Sequence, residues 1–110
     1  MTEPKVSKLK IKEKEVQAAI ITYLNYKKVF FWRNNTGGFM TKEKHFYRFG
    51  DLGSPDIFVL IKGRLYGIEC KGSDGKQSAN QKEYQKEFKK AGGFYRLAYD
   101  LEDVIEHIIW

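Results

Sequence analysis

"SPDIFVLIKGRLYGIECKG", Ser54 to Gly72, is the stretch whose reading decides the fold. Two apolar, β-branched runs flank Lys62-Gly63. They read as strands Asp56 to Ile61 and Arg64 to Lys71 joined by a tight turn. Side chains on a strand alternate between faces, so Glu69 and Lys71 share one face and Ile68 and Cys70 the other. A tight hairpin brings the end of its second strand back beside the start of its first. Asp56, Glu69 and Lys71 therefore converge at one end of the sheet. Two neighbouring carboxylates repel each other unless a cation lies between them. Hard oxygen donors with no Cys or His partner favour Mg²⁺ or Mn²⁺ over zinc. A lysine beside such a cation is poorly placed as a ligand. It suits charge stabilisation, or the orientation and deprotonation of an attacking water. Beside a basic surface, this set describes phosphodiester hydrolysis. The plainer alternative is a surface ion pair at strand ends.

The helix expected before this hairpin supplies another acid. From Lys12 to Tyr26, Val16, Ala19, Ile20, Tyr23 and Leu24 follow the 3.6-residue period of an amphipathic helix. On the helical wheel Glu13 leans toward the apolar face, where an unpaired carboxylate is costly, and Glu15 points to solvent. Glu13 is thus the expected helix contribution to the metal site, with Gln17 one turn on and Glu15 a secondary candidate. Stabilisation of the helix N-terminus by an acid is the competing explanation.

Around these elements the chain divides cleanly. Met1 to about Ile11 is a basic lead-in. Val29 to Asn34 reads as a strand, and Asn35 to Gly38 ("NTGG") as its turn. Phe39 to Gly53 mixes aromatic with basic residues and reads as a long functional loop or an irregular hairpin. Its aromatic residues suit a dimer interface, or a wedge at a DNA branch. Ser78, with Gln81 three residues on, forms a capping-box pattern for a helix running to about Ala91, stopped by Gly92-Gly93. Phe94 to Ala98 is a strand and Leu101 to Ile109 a last short helix. The order is α-β-β-β-α-β-α: an α/β domain with a mixed central sheet flanked by helices. His45 and His107 read as surface residues, and Trp110 as a cover for the core edge.

With 110 residues and 42% hydrophobic content, the chain holds one modest core, hence a single domain over 1–110. No apolar run approaches the ~18–20 residues of a membrane helix, and the N-terminus lacks an apolar signal region. A cytoplasmic protein with no membrane partner is the expectation. The lone Cys70 can form no internal disulfide and has no partner at zinc spacing. Net charge is +6, with lysines at 5, 8, 10, 12 and 14 and again at 76, 82, 86, 89 and 90. Such a surface attracts phosphate backbones, although a solvated lysine-rich face has the same composition. Candidate nucleic-acid contacts are Asn34, Asn35 and Thr36 beside the glycine pair, then Arg48, Lys76 and Lys82. Ordinary turn chemistry is the alternative for the first three.

"SPD" followed by "IECK" resembles the PD-(D/E)xK nuclease superfamily. "EKEVQAAIITYL" (Glu13 to Leu24), "WRNNTGG" (Trp32 to Gly38), "GSPDIFV" (Gly53 to Val59), "GKQSANQ" (Gly75 to Gln81) and "AGGFYRLA" (Ala91 to Ala98) resemble its VRR-NUC branch, the virus-type replication-repair nucleases. The resemblance covers nearly the whole chain from Glu13 on. It implies a restriction-endonuclease-like core in which Glu13, Asp56 and Glu69 bind a divalent metal. The backbone carbonyl of Cys70 is a further implied ligand, Lys71 the catalytic lysine, and Gln81 a residue shaping the site. It also implies a homodimeric endonuclease of a phage or bacterial cell, without a small-molecule cofactor, that cuts Holliday junctions or other branched DNA. Cleavage would leave a 5′-phosphate and a 3′-hydroxyl. A less selective DNA nickase, a non-cleaving branched-DNA-binding module and an RNA-processing nuclease are the alternatives.

Overall fold

A computed structural model describes residues 10–34, 37–49 and 51–110; of 37–39 and 47–49 it describes the backbone alone. Helix α1 (Glu13–Lys27) leads into strand β1 (Phe30–Arg33). A separate hairpin follows, β2 (Gly37–Met40) with β3 (Phe46–Phe49). Then come β4 (Ile57–Ile61), β5 (Arg64–Cys70), α2 (Ala79–Lys90), β6 (Phe94–Ala98) and α3 (Leu101–His107). The main sheet has the order β1-β4-β5-β6, with β1-β4 and β4-β5 antiparallel and β5-β6 parallel. Without the small hairpin, this is the α-β-β-β-α-β-α order and mixed sheet expected from the sequence. The hairpin settles the reading of Phe39 to Gly53 and corrects the turn at Gly37-Gly38. Those two glycines pair with Phe49 and Arg48 and so belong to β2.

The β4-β5 connection sets the register of the site. Lys62 and Gly63 both take left-handed backbone angles, as a two-residue type I′ turn requires. That turn pairs Ile61 with Arg64 and, four pairs on, Ile57 with Ile68. Asp56 and Glu69 come next on their two chains, at the end of the sheet away from the turn.

One face of the sheet is covered by α1 and α3. Val16, Ile20 and Leu24, four residues apart on α1, bury themselves against Ile57, Val59 and Ile61 of β4 and Tyr66, Ile68 and Cys70 of β5. Val104 and Ile108 close this core, and Trp110 packs against it. Its ring meets Tyr23 edge-on at 5.4 Å and lies 5.3 Å from the Lys27 ammonium. His45 and His107 are exposed, as read from the sequence. On the other face α2 lays Phe88 beside Phe58, which stacks in turn on Trp32. No helix among the described residues is long and apolar enough to cross a membrane.

A close approach ties the loop before Asp56 to the start of α2. Gly53 has φ +81°, and a Cβ there would overlap the Asn80 carbonyl and lie 2.9 Å from the Gln81 nitrogen. Gly53→Ala combines left-handed strain with this overlap, at a cost of about 2 kcal/mol or more. The expected result is a lowered urea midpoint. An unchanged midpoint would mean the contact is absent in solution.

Candidate active site

Three acids meet at the open end of the sheet. Glu13, Asp56 and Glu69 each present a carboxylate oxygen, and these oxygens lie within 4.8 Å of one another. Each is held by a different device. Ile11, just before α1, exchanges hydrogen bonds with Ser73: its N–H donates to Ser73 Oγ at 2.8 Å, and Ser73 N–H donates to its carbonyl at 2.9 Å. This clasp ties the start of α1, and so Glu13, to the chain leaving β5. Asp56 Oδ2 accepts the Cys70 N–H at 2.8 Å. The N–H and C=O of one strand residue point the same way. The Cys70 carbonyl therefore faces the acids, while the Lys71 N–H turns away to Ala98 O at 2.9 Å.

Glu69 is the centre of the cluster. It is 1% exposed. Its Oε1 accepts from Gln81 Nε2 at 2.9 Å and lies 3.8 Å from Lys71 Nζ. Its Oε2 is buried and accepts from no donor; a hydrogen bond with Asp56 forms only when one of the two carboxyls carries a proton. Burial, then the neighbouring Asp56, push the Glu69 carboxyl from 4.5 up to about 8, with Lys71 pulling the other way. Burial also pushes the Cys70 thiol up, with Asp56 and Glu69 adding to the shift, so this cysteine is an inert core group. An orphaned oxygen among three carboxylates is a poor hydrogen-bonding arrangement and a good ligand set for a hard divalent cation.

Gln81 caps α2 and also reaches the buried acid. Its Oε1 accepts the Ser78 N–H at 2.9 Å while Ser78 Oγ accepts the Gln81 N–H at 3.2 Å, completing the capping box. Its remaining amide donor reaches Glu69, so the cap of α2 also orients the buried acid.

The other sequence candidates separate. Glu15 caps α1 by accepting the Lys12 N–H at 3.0 Å and stands outside the acid cluster. Gln17 lines a cleft with Lys14 and Arg33 and is absent from the acid cluster. Asn34 braces the aspartate turn. Its Nδ2 donates to Ser54 Oγ at 2.7 Å and Pro55 O at 2.9 Å, and its N–H donates to Asp56 O at 2.7 Å. Lys76, in the loop after β5, and Lys82, in the first turn of α2, are exposed. Asn35, Thr36, the Arg48 side chain and most of the lead-in lie outside the described residues. Sequence reasoning missed the Ile11–Ser73 clasp, because pairing 62 residues apart leaves no local signature.

Comparison of the chain with protein-family models, curated proteins and solved structures gives no match.

The raised Glu69 carboxyl gives a metal-binding prediction. A ligating carboxylate must lose its proton. Below pH 8, Mn²⁺ binding should release about one proton, and apparent affinity should rise about tenfold per pH unit until Glu69 is ionised. Calorimetric titration in two buffers of different ionisation enthalpy reads the proton directly. Binding with no proton release at pH 7 would remove Glu69 from the ligand set.

Proposed function

We propose that the chain is a divalent-metal-dependent endodeoxyribonuclease of the VRR-NUC type. The observation that carries this reading is the orphaned, buried Glu69 oxygen within an acid trio, beside a lysine that is 12% exposed. Glu13, Asp56 and Glu69, with the Cys70 carbonyl, would hold Mg²⁺ or Mn²⁺. Bound there, the cation supplies Lewis acidity toward a phosphoryl oxygen and lowers the pKa of a water. The side chains do the rest. Gln81 and the Cys70 N–H fix Glu69 and Asp56. Lys71 offers its ammonium to the charge that builds on the phosphate oxygens. Water adds to phosphorus as the P–O3′ bond breaks, and a proton goes to the departing 3′ oxygen. The products are a 5′-phosphate and a 3′-hydroxyl.

Branched DNA, a four-way junction above all, is the proposed substrate, and the resemblance in sequence is its support. A homodimer is proposed with it. The sheet face beyond α2 leaves Phe30 68%, Trp32 42% and Leu60 41% exposed side by side. Contiguous aromatic surface of this kind suits a protein interface.

The test is cleavage of a labelled junction, a flap and a linear duplex in Mg²⁺, Mn²⁺ and EDTA. Metal-dependent, symmetric cuts in the junction are expected. Equal cutting of all three keeps the nuclease and removes the branch preference. Tight junction binding without cutting would replace the enzyme by a binding module.

A further inference from the structure

A cleft of about 380 Å³ runs along α1, lined by Lys14, Gln17, Ala18, Ile21 and Thr22 of α1 and Arg33 at the end of β1. The α1 residues are spaced i, i+3, i+4, i+7 and i+8, so they form one continuous stripe on the helix. Both walls run on in sequence toward the site. Lys14 follows Glu13 on the helix. Arg33 pairs with Ile57, and the next residue, Asn34, donates its N–H to Asp56 O. Two walls contribute a cation each, Gln17 and Thr22 offer hydrogen bonds, and Ala18 and Ile21 form an apolar floor. Among the described residues no carboxylate lines the cleft. This composition matches a sugar-phosphate unit: an anion for the cations and a low-polarity ring for the floor.

Resting on the nuclease reading above, we propose that the cleft holds the phosphodiester next to the scissile one. Arg33 and Lys14 grip its phosphate and Ala18 and Ile21 lie against its sugar. The DNA strand therefore leaves the metal site along α1. The contact carries no base sequence, so it sets strand position without restricting which sequence is cut.

The experiment uses the full chain with Arg33→Ala, Arg33→Lys and Lys14→Ala. Lys62→Ala, at the hairpin turn on the opposite end of the sheet, is the control. Junction DNA is the probe, in Mn²⁺ for cleavage and over a salt series in EDTA for binding. Arg33→Ala should raise Kd about tenfold, Lys14→Ala about threefold, and Arg33→Lys should recover part of the loss. Each Ala variant should also lower the slope of log K against log salt by about one. Replacing single phosphates by neutral methylphosphonates should reveal one position, adjacent to the cut, where Arg33→Ala no longer weakens binding. Mn²⁺ affinity without DNA should equal that of the parent. A parent that cuts while both Ala variants keep its Kd and salt slope overturns the cleft and leaves the metal site standing. A parent that neither binds nor cuts DNA overturns both.

Discussion

Replacing Glu69 by glutamine should abolish cleavage and, in EDTA, make the protein more stable than its parent above pH 8. The two effects have one cause. Glu69 is a buried acid whose carboxyl sits near 8 in the folded chain and near 4.5 when free. Between those values the folded state keeps a proton that the unfolded state has lost. Stability from this group is therefore complete below about pH 4.5 and falls as pH rises, by roughly 1.4 kcal/mol per unit. By about pH 8 the loss is on the order of 5 kcal/mol, a large part of the stability of a small domain. Glutamine keeps the shape, has no proton to lose, and can donate to the neighbouring Asp56.

Metal narrows the gap. A cation at a hundred times its Kd stabilises the parent by about 2.7 kcal/mol, roughly half of that loss, and on the proposed ligand set the variant gains less. Urea midpoints of both proteins at about pH 5, 7 and 9, in EDTA and in Mn²⁺, test the whole argument. A Glu69→Gln protein less stable than its parent at high pH in EDTA would show that the buried carboxylate is compensated without metal.

This tension between stability and site explains what the sequence made legible. Strand alternation and a two-residue turn are local rules, so Glu69, Lys71 and Asp56 could be brought to one place from spacing alone. The helical period picked Glu13 as leaning toward the apolar face; it joins the acid cluster but stays exposed, so a burial cost is not what places it there. The cap at Gln81 was readable from a serine three residues before it, whereas its bond to Glu69 joins distant segments and has no local signature. What stayed hidden depends on contacts between distant segments. Asn34 read as a strand end and a candidate phosphate contact, with turn chemistry as the alternative, and no pattern in the chain says that its amide bonds Ser54 and Pro55. Arg33 and Lys14 are unremarkable in sequence. They face one cleft because β1 pairs with β4 while α1 crosses the same face. The Gly37–Phe49 hairpin was ambiguous because glycines and mixed aromatic and basic residues fit both a loop and a strand, and only the ladder decides.

Lys71→Ala is expected to cost cleavage about a thousandfold, and its pH dependence separates two roles for the lysine. Lys71 Nζ lies 3.8 Å from Glu69 Oε1 and holds the Glu69 carboxyl down against burial and against Asp56. Removing the ammonium lets that carboxyl rise further, so metal must compete with a more tightly held proton. If this were the only task of Lys71, raising the pH until Glu69 ionises would restore metal binding and cleavage together. A role toward the phosphate predicts a different split. Mn²⁺ affinity recovers at about pH 9, while kcat stays two to three orders of magnitude below the parent, the usual cost of losing one preorganised donor to a developing anion. Lys71→Arg sharpens the comparison. It keeps the charge beside Glu69 but delivers a broad, planar group to a nearly buried position, so metal binding should approach that of the parent while kcat remains depressed. Full recovery of cleavage by Lys71→Ala at high pH would reduce the lysine to an electrostatic support for Glu69, and the reaction would then depend on the metal ligands alone.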